Sequence, residues 1–449
     1  MIRCDSFSEL PGIHLGTSWT VRSAMLMYAV QRGEGNKRNN KIIMDAASIA
    51  ALSFLSLAAA SAWQEWRASI AACGDESDEE DDLRASAMRD AARAAPRVRG
   101  VGDDGGFADL VGNTPLVYLR SLSEATGCKI FGKAEFLNPG GSTKDRVARG
   151  IVVDAERRGL LLRSEPERCV IVEGTSGSTG ISLSLMARSR GYRCHIVMPD
   201  DMAVEKSALL RMFGAAVVEV KPAAIVHSGH YCNTAARFAR GPSGDELRFY
   251  ADQFENEANW REHYRTTGPE IWHSVTRERA LKLDAFVMSA GTGGTIKGVS
   301  TFLKEQDPSI HIFLADPPGS ALANKVNHGV LYTPEQSERT VQRHRFDTVT
   351  EGVGLCRLTA NFRDAPIDHA FTIEDQESVA MSRALLRDEG LFLGSSSAMN
   401  CVAAVRAARR LGPGHTIVTV LCDGGQRHKS KFWNDEYLGE QGLVAPPPE

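Results

Sequence analysis

The chain has 449 residues, of which 43% are hydrophobic and 24% are charged, and its formal net charge is -4 at pH 7. This length and composition indicate a globular enzyme of more than one domain, and the charge, without any basic stripe, argues against a nucleic-acid-binding protein. The nine cysteines are odd in number, scattered and never spaced as CxxC. They predict a reducing compartment rather than a disulfide framework or a zinc site.

Residues 1–41 have no sustained hydrophobic period, and their second half is polar and basic, so they are predicted to be disordered. Residues 42–67 contain the uncharged run Ala46–Trp63, followed by Trp66. This run is long enough for a short membrane-spanning helix, and its tryptophans suit a membrane interface, so it predicts an anchor or targeting helix. A weakly apolar Ala/Ser helix and a secretory signal ending at Ala60-Ser-Ala62 are the alternatives. The unpaired cysteines favour an anchor over a cleaved signal.

An acidic block, Asp75–Asp82, and an Ala/Arg-rich stretch follow the apolar run. Blocks of like charge repel themselves and stay solvated, so residues 68–101 are predicted to be a linker. The remaining residues, 102–445, are predicted to form the catalytic domain.

Short apolar runs alternate with helical patterns through this domain, which predicts βαβ units, parallel-rich sheets and an α/β fold. The two groups of runs, before and after residues 241–246, predict two α/β lobes with a cleft between them. The predicted strands are Cys169–Val172, His195–Met198, Ala216–Val220, Ala285–Met288, His311–Leu314 and Thr416–Leu421. The predicted helices are Ile181–Arg190, Ser207–Phe213, Ile296–Lys304, Ser378–Glu389 and Val402–Arg410.

Lys144 ends the turn Asn138-Pro-Gly-Gly-Ser-Thr and precedes an amphipathic run, Asp145–Arg158. Pro and Gly resist helix formation and Ser/Thr can cap, so Lys144 is predicted at a helix N-terminus. The helix dipole there disfavours a cation by about 0.3–1 kcal/mol, and burial acts in the same direction. Lys144 is therefore a candidate Schiff-base lysine. The alternative is an ordinary surface lysine in a first helical turn.

Two Gly- and hydroxyl-rich turns follow predicted strands and open predicted helices: residues 173–180 and residues 289–295. Free backbone N–H groups and the helix dipole make such turns suitable for anions. Neither contains the lysine of a P-loop, and Ile296 breaks the GxGxxG pattern of a dinucleotide site. Either loop alone could be a structural turn, but both together with Lys144 indicate a binding site.

The colinear motifs of residues 105–440 resemble the pyridoxal-phosphate-dependent cysteine synthase and cystathionine β-synthase family. This family has the tryptophan synthase β-like fold (fold type II). The motifs are Gly112-Asn-Thr-Pro-Leu116, Asn138–Arg146, Thr175–Gly180, Met198-Pro-Asp, Gln253–Asn259 with His263, Thr267–Trp272, Gly291–Thr295 and Gly394-Ser-Ser396-Ser-Ala. An apolar N-terminal segment before such a domain is similar to the fungal mitochondrial cysteine synthase 2-like branch.

The resemblance implies a role for each motif around pyridoxal 5'-phosphate. Lys144 would carry the cofactor as a Schiff base and remove the substrate α-proton. Ser396 would bond the pyridine nitrogen, and its hydroxyl would leave the cofactor a weaker electron sink than a carboxylate would. The phosphate would be held by Gly291, Thr292, Gly293, Gly294 and Thr295, and the substrate carboxylate by Thr175, Ser176, Gly177, Thr179 and Gln253. Ser178 stands where the family has asparagine and is predicted to be an altered cofactor contact.

The implied reaction is synthesis of L-cysteine from O-acetylserine, or a similar O-activated serine, and sulfide through an aminoacrylate. Cystathionine formation from serine and homocysteine, and a serine/threonine dehydratase, are alternatives. Gln253 and residues 256–263 favour the first over the dehydratase. A membrane-tethered binding module that has lost turnover is a further alternative, motivated by Ser178 and the apolar run. We expect a homodimer in the mitochondrion, anchored by residues 46–63 in the outer membrane, or a cytoplasmic protein if that segment is no anchor.

Other conspicuous residues are predicted to be structural or to line the cleft. His227, His230 and His263 lack metal-ligand spacing, so no metal site is predicted. Residues 330–350 are predicted to form a surface excursion, and Glu351–Gly354 a glycine segment lining the cleft. The segment Cys422–His428 follows a strand and is predicted to close the cofactor pocket, with Cys422 itself a buried small residue.

Overall fold

The computed structural model describes residues 106–333 and 348–444 of the chain. The predictions for residues 1–41, 42–67 and 68–101 fall outside these ranges. Within the described ranges, no helix has the length and apolar character needed to cross a membrane.

The elements alternate between strands and helices along most of the described chain. The strands are β1 (Leu116–Tyr118), β2 (Lys129–Ala134), β3 (Cys169–Gly174), β4 (Arg193–Pro199), β5 (Ala216–Val220), β6 (Leu247–Tyr250), β7 (Ala285–Ser289), β8 (His311–Asp316), β9 (His369–Thr372) and β10 (Thr416–Leu421). The helices are α1 (Phe107–Leu110), α2 (Arg120–Thr126), α3 (Lys144–Arg157), α4 (Ser178–Arg190), α5 (Val204–Met212), α6 (Tyr231–Arg240), α7 (Ala258–Arg265), α8 (Thr267–Thr276), α9 (Gly294–Gln306), α10 (Leu322–His328), α11 (Asp375–Glu389), α12 (Ser395–Leu411) and α13 (Asp435–Glu440).

Two sheets organise these elements, one of six strands in the order β1-β2-β10-β7-β8-β9 and one of four strands in the order β5-β4-β3-β6. Every neighbouring pair is parallel except β1 with β2. Each sheet has its own apolar core. The α/β fold with two lobes and parallel-rich sheets is confirmed.

All six predicted strands are present, and all five predicted helices are present but begin two to seven residues earlier than predicted. The glycines and hydroxyl residues that we assigned to turns form the first helical turn instead. For example, α4 begins at Ser178 rather than at Ile181, and α9 begins at Gly294 rather than at Ile296. The binding motifs are therefore helix N-termini themselves.

The predicted division of the lobes at residues 241–246 is wrong. Strand β6 follows these residues and joins the four-stranded sheet, whereas β1 and β2 precede that sheet and pair within the larger one. Parallel pairing between β2 and β10 joins segments about 290 residues apart in the chain, which local patterns do not reveal. The smaller lobe is thus an insertion between β2 and β7.

The predicted surface excursion at residues 330–350 is only partly described. Residues 334–347 lie outside the described ranges, whereas Val349 and Thr350 are buried. The backbone N–H of Val349 and the hydroxyl of Thr348 donate to the Asp375 carboxylate at the start of α11, at 2.8 and 2.5 Å. The end of the excursion therefore packs into the fold instead of lying on its surface.

Candidate active site

Lys144 is the first residue of α3, as predicted. The hydroxyl of Ser142 accepts a hydrogen bond from the Lys144 backbone N–H at 3.3 Å. Thr143, the residue before the helix, makes no cap through its side chain, and its buried Oγ1 has no hydrogen-bond partner among the described residues. The turn therefore leaves the Thr143 hydroxyl available at the wall of the cleft, beside Lys144.

The Lys144 side chain points into a cavity of about 220 Å³ between the lobes. Burial lowers the pKa of its amine below the usual value, although Cys422, Asp423 and Glu135 act in the opposite direction. Within the described part of the chain, no hydrogen bond or ion pair holds Nζ. An amine in this state is nucleophilic and can accept a proton.

A buried network of four charges fixes the beginning of α3. The Arg146 guanidinium bonds Glu135 at 2.8 Å and Glu270 at 2.7 Å, and the Lys133 ammonium bonds Glu270 at 2.6 Å. Arg146 lowers the pKa of both carboxyls, against the effect of burial, so both are ionised. The sequence motifs contained Arg146 and Glu270 but gave them no role. Their distance along the chain hides this pairing from sequence patterns.

The loop Gly291–Thr295 connects β7 to the N-terminus of α9. A Cβ on Gly291 would stand 2.2 Å from the carbonyl oxygen of Gly352, and one on Gly294 would stand 2.0 Å from Oδ1 of Asn259. Gly293 has a φ of 91°, which favours glycine. The loop is therefore held open as a backbone cradle whose helix-terminal N–H groups suit a phosphate.

The Thr175–Gly180 loop consists of the connection from β3 to α4 in the smaller lobe, residues 175–177, and the first three residues of α4. Gly177 has a φ of 130°, and a Cβ there would meet the Lys206 side chain at 2.6 Å. The hydroxyl of Thr179 donates to Oε1 of Gln253 at 2.5 Å. Nε2 of Gln253 donates to the carbonyl of Gly174 at 3.1 Å and contacts the buried Glu173 at 3.4 Å. The Gln253 carboxamide is thus oriented by contacts on both sides.

The structure brings together eleven of the thirteen predicted site residues at the wall of the same cavity. They are Lys144, Thr175, Ser176, Ser178, Thr179, Gln253, Gly291, Thr292, Gly293, Thr295 and Ser396. Gly177 and Gly294 do not line it. Their missing side chains instead make room for Lys206 and Asn259.

Residues 107–423 match the family model described as pyridoxal-phosphate dependent enzyme. The chain belongs to this family. Cysteine synthase 2 of Schizosaccharomyces pombe is 51% identical to it over 349 residues, which cover 76% of this chain and 87% of the relative. A Saccharomyces cerevisiae protein named "Putative mitochondrial cysteine synthase" is 48% identical over 74% of this chain and 84% of its own length. The solved O-acetylserine dependent cystathionine beta-synthase of Helicobacter pylori superimposes with a TM-score of 0.62 at 30% identity, covering 74% of this chain and 98% of that chain.

The cavity of this pyridoxal-phosphate-dependent enzyme suits the cofactor of its family. It combines an amine of lowered pKa, Lys144, with a glycine cradle at a helix N-terminus. The hydroxyls of Thr143 and Ser289 line it without a hydrogen-bond partner in the described ranges. The amine can react with the aldehyde of the cofactor, and the helix N-terminus can bind its phosphate. The unpaired hydroxyls can form hydrogen bonds with the polar groups of its ring.

Three further predictions concern the ends of this cavity. Ser396, the second residue of α12, and Ser178, the first residue of α4, both line it. Cys422 is buried, as predicted, and burial raises the pKa of its thiol to about 12. The glycine segment Glu351–Gly354 lines the cavity as well. Asp423 and His428, of the segment Cys422–His428 that was predicted to close the cofactor pocket, also line it. Lys206 lines it as well, although no sequence motif included this residue.

Gly294→Ala is expected to weaken cofactor binding by about 1–3 kcal/mol, or about 5- to 150-fold. The new methyl group would collide with Asn259, whose Nδ2 is held by Thr292 and by the carbonyl of Gln253, both at 2.9 Å. Titration of the apoprotein with cofactor, followed by visible absorption, measures this change. Gly439→Ala is the control, because no heavy atom lies within 4 Å of its added Cβ. Equal affinity of both variants would contradict the steric account.

His263 is a hydrogen-bonded core histidine, as expected. Its ring nitrogens lie 2.9 Å from the Thr267 hydroxyl and 3.2 Å from the hydroxyl of Thr295 in the glycine cradle. Burial, followed by the charge of Arg146, lowers its pKa from 6.5 to about 3. The ring is therefore neutral at physiological pH and adds no charge near the phosphate cradle.

The folded protein should lose stability on mild acidification because of His263. The unfolded chain binds this proton near pH 6.5 and the folded chain only near pH 3. The free energy of unfolding should therefore fall by about 2 kcal/mol from this residue alone between pH 7 and pH 5. Urea unfolding at the two pH values measures this loss of stability. His263→Asn should lack the contribution of about 2 kcal/mol, whereas the control His311→Asn, at an exposed position, should retain it. The same pH dependence in wild type and His263→Asn would refute this assignment.

Proposed function

We propose that the enzyme makes L-cysteine from O-acetylserine, or a similar O-activated serine, and sulfide. The observation that supports this proposal most strongly is that the Lys144 amine and two helix N-termini suited to anions line the same cavity. The 51% identity to a cysteine synthase over most of both chains supports the choice of reaction.

The proposed site roles divide between the lobes. Gly291, Thr292, Gly293, Gly294 and Thr295 hold the cofactor phosphate, Ser396 bonds its pyridine nitrogen, and Ser178 contacts its ring. Thr175, Ser176, Gly177, Thr179 and Gln253 hold the substrate carboxylate. In this structure the Nε2 donors of Gln253 face Glu173 and the Gly174 carbonyl, so holding the carboxylate directly requires the carboxamide to turn, whereas its bond from Thr179 already orients the loop.

When bound, the cofactor supplies an electron sink for negative charge at the substrate α-carbon. Lys144 takes the α-proton onto Nζ, and the lowered pKa of this amine supports that role. The N-terminus of α4 holds the substrate carboxylate, which fixes the α-hydrogen relative to Lys144. Loss of the β-substituent then leaves a site for the thiol or sulfide nucleophile.

The Ser178 hydroxyl offers one donor where an asparagine would offer two and a carbonyl acceptor. Its position at the N-terminus of α4, at the wall of the cavity, supports a contact with the cofactor through a direct bond or one water. Turnover with this contact in place would separate the proposal from a binding module without activity.

Cystathionine synthesis is the second candidate, because the solved Helicobacter pylori relative is named an O-acetylserine dependent cystathionine beta-synthase. The test uses purified enzyme loaded with cofactor and given O-acetylserine with sulfide, with homocysteine, or with no acceptor. Cysteine formed much faster than cystathionine is expected. Faster formation of cystathionine would support the second candidate. Formation of pyruvate without an acceptor would support a dehydratase, and absence of any reaction would support a binding module.

We also propose a mitochondrial location, with residues 46–63 as an anchor in the outer membrane. The name of the Saccharomyces cerevisiae relative and the uncharged run of the sequence support this. Carbonate extraction of a full-length fusion from isolated mitochondria tests it. Release of all the protein to the soluble fraction would refute the anchor, and absence from mitochondria would favour the cytoplasm.

A homodimer is proposed as the working form. An open groove with an apolar wall supports it, since Met212 at its rim is 76% exposed and Phe136, Leu209 and Phe392 line it. Such a patch commonly marks a protein interface. Light scattering after size exclusion should give twice the chain mass, and the monomer mass at micromolar concentration would count against it.

A further inference from the structure

A buried ion pair between Lys206 and Glu351 crosses the cleft and belongs to none of the roles above. Lys206 lies on α5 of the smaller lobe, and Glu351 lies between α10 and β9 of the larger lobe. Both side chains are 3% exposed. Placing two charges out of water is unfavourable by several kcal/mol per ion, so such a pair is weak evidence for a purely stabilising role.

The lysine supports the substrate-carboxylate loop directly. Its Cβ, Cγ and Cδ atoms lie 3.1, 3.2 and 2.6 Å from the position that a Cβ on Gly177 would occupy. The aliphatic stem of Lys206 thus fills the space beside Gly177, between Ser176 and the start of α4. A change in the direction of this side chain would remove the packing contact that supports the loop at Gly177.

The glutamate begins the glycine segment that packs on the phosphate cradle. The carbonyl of Gly352 lies 2.2 Å from the position of a Cβ on Gly291, and the N–H of Gly354 donates to the carbonyl of Ala290 at 2.9 Å. On its other side, a Cβ on Gly352 would be 3.8 Å from the Ser176 hydroxyl. Each partner of the ion pair therefore adjoins one of the two anion cradles.

Neighbouring charges favour the ionised form of Glu351. The Lys206 ammonium, followed by His428 and Lys431, lowers the pKa of Glu351 to about 2, against the effect of burial. Nζ of Lys431 lies 3.6 Å from Oε1 of Glu351, and Nδ1 of His428 lies 3.8 Å from Oε2. Nε2 of His428 lies 3.0 Å from Oδ2 of Asp423, which fixes the direction of the ring.

We propose that Lys206 and Glu351 are positioning residues for the amino-acid substrate. Their ion pair fixes the distance between the Thr175–Gly180 loop and the phosphate cradle, and so sets the affinity for the substrate α-carboxylate without taking part in proton transfer. This inference rests on the proposed assignment of that loop to the carboxylate. The inference extends that assignment by naming the two residues that hold the loop in position.

The test uses cofactor-loaded enzyme titrated with L-alanine, which has the α-amine and α-carboxylate of the substrate but no β-leaving group. The visible spectrum of the bound cofactor reports binding without turnover. Lys206→Met keeps most of the stem and removes the charge, and Glu351→Gln keeps the volume. Each variant should raise the Kd for L-alanine by about 5- to 150-fold, with the cofactor affinity unchanged. The double variant should show no further loss, because both changes break the same pair.

Lys221→Met is the matched control, since it breaks the ion pair of Lys221 with Asp200, in which the lysine side chain is 89% exposed. It should leave the Kd for L-alanine unchanged. Three outcomes would overturn the positioning role without affecting the proposed function. They are an unchanged Kd in both single variants, additive losses in the double variant, and failure of both single variants to fold. A wild-type holoenzyme without any response to L-alanine would overturn the proposed substrate class, and the role of the pair with it.

Discussion

Lys144→Ala is expected to abolish the visible absorption of the lysine-bound cofactor and to lower the rate of cysteine formation by about 10²–10⁴-fold from loss of the base alone. The reason is the state of this amine, which lines the cavity with a pKa lowered by burial and has no hydrogen bond or ion pair within the described ranges. Lys206, the other lysine that lines the cavity among the described residues, is paired with Glu351. Absorption spectra of purified protein with excess cofactor and an initial-rate assay of cysteine measure both losses.

Lys221→Ala is the control for loss of a lysine, because this side chain is exposed and belongs to a surface ion pair. It should retain both the absorption and the rate. Added primary amines should restore part of the rate to Lys144→Ala, because they can replace the missing proton acceptor. A Lys144→Ala protein with wild-type absorption and wild-type rate would show that another residue carries the cofactor.

The second large effect is expected for Arg146→Met, which should lower the free energy of unfolding by about 3–5 kcal/mol. The substitution keeps the volume but leaves Glu135 and Glu270 buried with Lys133 as the remaining cation of the network. Removing one partner from such a network leaves a buried charge without compensation. Urea unfolding of the apoprotein, followed by tryptophan fluorescence, measures the change.

The control is Arg120→Met, which breaks the exposed pair of Arg120 with Glu124 and should change stability by about 0–1 kcal/mol. Arg146→Met should also weaken the reaction of Lys144 with the cofactor, because Arg146 lies in the first turn of the same helix. Equal stability of the two variants would mean that the network contributes no more than a surface pair.

Sequence patterns could predict that these residues line one cavity, the candidate active site, because its parts are short and local. The turn before Lys144, the two Gly-rich helix N-termini and Ser396 each follow a strand or a tight turn, and a parallel fold gathers such positions at one edge. The pattern could not place Gly177 and Gly294 outside the cavity wall. Their role depends on Lys206 and Asn259, which approach from other elements.

Long-range pairings account for most of what the sequence could not predict. The bonds from Arg146 to Glu270 and from Lys206 to Glu351 join residues 124 and 145 positions apart. The sequence around a charged residue does not indicate which distant residue will be its ion-pair partner. The same limit explains the misplaced lobe boundary, because β2 pairs with β10 after the whole smaller lobe has been inserted.

Chemical fixation of the cofactor tests the central claim most directly. Borohydride reduction of the loaded enzyme would attach the cofactor permanently to the lysine amine that carries it, and mass spectrometry of the proteolytic peptides would identify that lysine. We predict that the modification lies on the peptide containing Lys144, and that the unreduced, cofactor-free protein lacks it. Modification of Lys206 or another lysine instead, or of none, would contradict the account.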